Sequence, residues 1–73
     1  MKQIGQCAIE DAKGFISIAS VFEWHGDRFI AVKVSNPGAG IVLKYMRMLA
    51  KGKTSTGHKW FNLELDETGA DKD

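Results

Sequence analysis

Arg28, Lys33, Lys44, Arg47, Lys51, Lys53 and Lys59 all fall within residues 28–60, a stretch that holds no Asp or Glu. His58 lies inside it as well. The acids stand outside, at Glu10, Asp11, Glu23 and Asp27 before it and at Glu64, Asp66, Glu67, Asp71 and Asp73 after it. A formal net charge of +1 therefore conceals a segregated charge pattern. Ammonium and guanidinium groups gathered in this way neutralise phosphates and release the counterions condensed on a nucleic-acid backbone. They suit an acidic protein surface equally well. A face that serves only solubility normally mixes signs, so the acid-free stretch strengthens the case for a partner.

Phe22, Trp24 and Phe29, with Lys33 nearby in sequence, form the second constellation. Aromatic rings on a sheet face can stack unpaired bases. The same rings can instead pack beneath a helix or against a second copy of the chain.

The remaining chemistry is sparse. Cys7 is the lone cysteine, so no intrachain disulfide and no thiolate cluster is available. Nothing in the spacing pairs it with His25 or His58. His25 and Asp27 flank a turn, where polar residues are ordinary. No HxxxH or CxxC spacing supports a metal site, and no cofactor is implied. Gly38 and Gly40 lack the Lys-Ser/Thr ending of a phosphate loop and the third glycine of a dinucleotide fingerprint. The sequence therefore reads as a non-enzymatic binding module.

These groups need elements to hold them. Residues 4–9 form a weak strand candidate, and residues 10–14 a polar turn. Residues 15–24 and 28–35 are richer in β-branched and aromatic types and read as strands. Gly26-Asp27 between them suits a two-residue hairpin loop. That loop would place Trp24 opposite Phe29, Phe22 opposite Ala31 and Val21 opposite Val32. Side chains alternate along strands, so Ala19, Val21, Ile30, Val32 and Val34 would make a core face. Ile18, Ser20, Phe22, Trp24, Phe29, Ala31 and Lys33 would make the other.

Ser35-Asn36-Pro37 reads as a capped helix start, and Gly52 as the stop of a helix over residues 37–51. Lys44, Arg47 and Lys51 would then share one helix face at spacings of three and four. Residues 53–58 read as a basic loop. Residues 59–65 read as a last strand, with Trp60, Asn62 and Glu64 on one face and Phe61, Leu63 and Leu65 on the other. The expected order is β-β-β-α-β: an α+β fold with one helix on a small antiparallel sheet. Three strands followed by a helix resembles, in architecture alone, small DNA-binding modules that lay a sheet in the major groove. Residues 1–65 would form a single domain and residues 66–73 an acidic, loosely ordered tail.

Composition is ordinary for a globular chain, with 44% hydrophobic and 26% charged residues. The N-terminus lacks a signal-peptide core, and Lys44 and Arg47 break the longest apolar run. A cytoplasmic protein with no membrane association is expected. A chain of 73 residues buries only about 60% of the surface its unfolded form would expose. A wide apolar helix arc and a hairpin apolar on both faces would then call for a homodimer. The functional expectation is a module binding DNA or RNA through Arg28, Lys33, Lys44, Arg47, Lys51, Lys53, His58 and Lys59. The alternative is a small regulator or inhibitor, of the kind phages and plasmids encode, acting on a protein partner through the same cations or through Phe22, Trp24 and Phe29.

Overall fold

The structure, a computed structural model, describes residues 1–66. Six antiparallel strands follow one another in chain order and close into a barrel. They are β1 (Lys2–Glu10), β2 (Ile16–Trp24), β3 (Asp27–Asn36), β4 (Gly40–Leu49), β5 (Lys53–Thr54) and β6 (Lys59–Leu65). A single 3₁₀ turn, Ala50–Gly52, reverses the chain between β4 and β5. The α+β expectation is wrong, because the segment expected as a helix is β4 and the turn that precedes it. The expected acidic tail lies, from Glu67 onward, outside the described residues.

The turn before β4 explains the error. The Ala39 N–H donates to the Asn36 carbonyl at 2.9 Å, so residues 36–39 close a tight turn. Pro37 sits at its second position and Gly38, at φ 86°, at its third, which is what a type II turn asks of Pro and Gly. Pro is favoured both there and at a helix start, and the glycine's positive φ decides between them. Asn36 then faces Gly40, and the β3–β4 ladder runs back to Phe29 opposite Arg47.

The β2–β3 hairpin loop is His25-Gly26, not Gly26-Asp27. Both loop residues have positive φ, 53° and 83°, as a type I′ turn requires. Phe22 therefore faces Phe29, Val21 faces Ile30 and Ser20 faces Ala31. This register differs from the expected one by two residues. An even shift leaves every side chain on its expected face.

The barrel interior is filled by Cys7, Ile9, Ala19, Val21, Ile30 and Met46. Ile4, Val32, Met48, Trp60 and Leu63 pack against that cluster. Burial pushes the Cys7 thiol above its usual pKa, because the buried thiolate would lose its hydration.

The expected alternation of β6 fails at Asn62. Gln6 faces Glu64, but Ala8 faces Phe61, so Asn62 and Leu63 share the place opposite Cys7. Asn62 takes φ 55°, the left-handed residue of a bulge. The bulge turns both Trp60 and Leu63 inward, although strict alternation would separate them.

The β5–β6 turn hangs on Thr54, which is buried. Its hydroxyl oxygen accepts the Thr56 N–H at 3.3 Å and the His58 N–H at 3.0 Å. Thr54→Val keeps the shape of the residue and removes the one oxygen that accepts both bonds. It is expected to cost about 2 kcal/mol, the usual desolvation penalty of donors left unpaired. A shift in urea midpoint worth less than about 0.5 kcal/mol, well below that range, would show that the two amides find acceptors elsewhere.

Candidate nucleic-acid interface

Since Val21 and Ile30 point into the barrel, their neighbours Phe22 and Phe29 point out of it. The outer wall of β2, β3 and β4 then reads in rows across the strands. One row is Phe22, Phe29 and Arg47, and the next is Ser20, Ala31 and Tyr45. Lys33 opposite Leu43 extends the wall one way, and Trp24 opposite Asp27 extends it the other. No element covers this wall among the described residues. Trp24 is 49% exposed and Tyr45 43%, both high values for large rings. Phe22 and Phe29 are half-buried by their neighbours.

The rings support one another. Tyr45 meets Phe22 edge-on, with centroids 5.9 Å apart and planes at 80°, a favoured aromatic geometry. Trp24 leans on the His25 ring at 4.4 Å. Arg47 reaches diagonally to Asp27, its Nη2 donating to Oδ1 at 3.0 Å. Both partners are about half exposed, so the pair adds little stability. Its effect is to hold the guanidinium beside Phe29, with its remaining N–H groups free to donate.

The expected cations do not form one stripe. A strand places residues an odd number apart on opposite faces, so Lys44 and Arg47 diverge. Lys44 faces Val32 on the core side of β4, at the open end of the barrel. Lys51 lies in the 3₁₀ turn at φ 67°. The helical face of Lys44, Arg47 and Lys51 does not exist. Arg28 stands opposite Glu23 on the core side, at the barrel mouth. His58 is tied into its own turn, with Nδ1 2.8 Å from the Thr56 hydroxyl.

Two groups remain. Lys33 and Arg47 flank the aromatic wall. Lys53 and Lys59 face each other across β5 and β6 on the outer surface, around the barrel from Arg47. Lys59 also stands directly opposite Glu10 on β1, which offsets part of their mutual repulsion.

Tyr45 was absent from the expected site, because a helix would have made it one apolar residue among many. The signal was an alternation beginning at Ile41: Ile41, Leu43, Tyr45 and Arg47 out, Val42, Lys44, Met46 and Met48 in. Among the described residues no group of three or more His, Cys, Asp or Glu gathers as metal ligands. No helix there is long and apolar enough to cross a membrane. Comparison with protein-family models, curated proteins and solved structures found no match for this chain.

Proposed function

We propose that the protein binds single-stranded nucleic acid on the outer wall of β2, β3 and β4. The observation that carries this reading is the outer-wall platform of exposed Trp24 and Tyr45 with half-buried Phe22 and Phe29, flanked by Lys33 and Arg47. Rings on an open sheet reach base faces only when the bases are unpaired, and stacking tolerates any sequence. Lys33 and Arg47 meet the phosphates on either side of the stack. Lys53 and Lys59 give a longer strand a second contact around the barrel.

Binding of a labelled oligothymidylate or oligouridylate, followed by fluorescence anisotropy across a salt series, tests this. Each phosphate neutralised on a single strand contributes about 0.7 to the logarithmic salt slope. Replacing Lys33 and Arg47 together with Gln should therefore lower the slope by about 1.4. A wild-type protein that binds neither oligonucleotide at low salt refutes the reading, since phosphate contacts are strongest there.

A further inference from the structure

The β2–β3 ladder ends at Ser20 opposite Ala31. Yet β2 stays paired with β1 back to Ile16, and β3 stays paired with β4 out to Asn36. Beyond Ser20 the wall splits into two separate ribbons. A groove of about 540 Å³ opens between them, with Ser17, Ile18 and Ala19 on one side and Val32 and Lys33 on the other. Both lips are sheet edges whose backbone groups lack a neighbouring strand.

Such edges invite pairing, and proteins normally guard them with charge, Pro or bulges. The β3 lip is guarded: Lys33 projects from it, and Pro37 ends it. The β2 lip is not. Residues 15–22 carry no charge, and Phe15, Ile16 and Ile18 are 70%, 59% and 69% exposed. Side chains so large and so open on an unguarded edge are otherwise an aggregation hazard.

We propose that this edge is a dimer interface, in which β2 pairs antiparallel with β2 of a second copy about a two-fold axis at Ser17. That register sets Ile16 against the partner's Ile18, and Phe15 against the partner's Ala19. It places no charge against an apolar side chain. An uncharged edge is matched by an uncharged strand, and residues 15–19 of a second copy supply one in this register. The pairing stops at Ala19 because Ser20 already bonds within its own barrel. An isologous contact of this kind closes after two copies, which separates it from open-ended edge aggregation.

The axis places Ser17 opposite itself. Directly opposed residues in an antiparallel pair have Cα atoms about 4.5–5.5 Å apart, inside the range a disulfide spans. Ser17→Cys should therefore cross-link into a covalent dimer on mild oxidation, whereas Lys51→Cys, in the 3₁₀ turn, should not. Light scattering of the wild type should give twice the 8.1 kDa chain mass at tens of micromolar. Ile18→Lys should return it to 8.1 kDa with an unchanged circular dichroism spectrum. In the Ser17→Cys background the same lysine should abolish the cross-link. A monomeric wild type overturns the proposal. So does a dimer in which Ser17→Cys fails to cross-link, whether or not Ile18→Lys folds.

Discussion

Replacing Gly5 with Ala should remove a large part of the stability of the barrel. At this point β6 crosses β1 so closely that a Cβ on Gly5 would overlap the Glu64 carbonyl oxygen and come within 2.9 Å of the Leu65 Cα. Those atoms are backbone, so no rotamer change relieves the overlap and the strands themselves must part. The closure has little slack nearby. Gln6 donates to Glu64 at 3.3 Å, and the Asp66 N–H donates to the Ile4 carbonyl at 2.7 Å. Moving β6 outward strains both bonds and lifts Leu63 off the core. Overpacking alone costs about 1–3 kcal/mol, and displacing two paired strands puts the change at or above that upper limit. A domain of this size has roughly 4–11 kcal/mol in total at the usual 0.05–0.15 per residue. Urea unfolding followed by Trp fluorescence should show a loss of about 3 kcal/mol or an already unfolded protein. A variant within about 1 kcal/mol of wild type, below what overpacking normally costs, would mean that β1 and β6 do not meet as closely as described.

The parts of this fold that were legible in the sequence are those where one face differs from the other. Along residues 19–22 and 29–34, aliphatic residues on one face alternate with mainly aromatic and polar ones on the other. The core and outer faces of β2 and β3 could be assigned even with the hairpin loop misplaced, because the register error was even. Along β4 both faces are largely apolar. Only Lys44 and Arg47 interrupt the inward set of Val42, Met46 and Met48 and the outward set of Ile41, Leu43 and Tyr45. Period two was hidden, and the spacing of Lys44, Arg47 and Lys51 imitated a helix. β5 is too short to carry a period of its own. The β6 bulge depends on Asn62 adopting a left-handed conformation, which residue type permits but does not announce.

The same reasoning sorts the candidate site. Phe22, Trp24, Phe29 and Lys33 share one face, as expected, because they sit on strands whose faces could be read. Arg28, Lys44 and His58 were grouped with Lys33 and Arg47 in one cation set by proximity in sequence, and pairing separates them. Tyr45 joined the site only once β4 was a strand. The surplus apolar surface also changes place. It was expected on a helix and on both faces of the hairpin; the helix is absent, and the surplus resides on the hairpin's outer face and on the split edge of β2.

Replacing Trp24 and Tyr45 together with Ala should weaken single-strand binding by at least about 30-fold, because each base–ring stack contributes about 1–3 kcal/mol and 1.4 kcal/mol is a factor of ten. Both rings are among the more exposed on the wall, so the barrel should survive. Tyr45 also gives up its edge contact with Phe22, which costs about 1 kcal/mol of stability and leaves the fold intact. Charge and stacking then separate in one experiment. The double Ala variant keeps Lys33 and Arg47, so its affinity should fall while its salt slope stays near that of the wild type. The Lys33, Arg47 double Gln variant should also lose affinity, but with a flatter slope and the rings left in place. If the Ala variant binds as tightly as wild type, the rings do not stack bases, and any remaining affinity belongs to the cations alone. If its slope collapses together with its affinity, the loss reflects a displaced cationic wall rather than missing stacks. Stacking on Trp24 and Tyr45 therefore stands only if affinity drops and the slope does not.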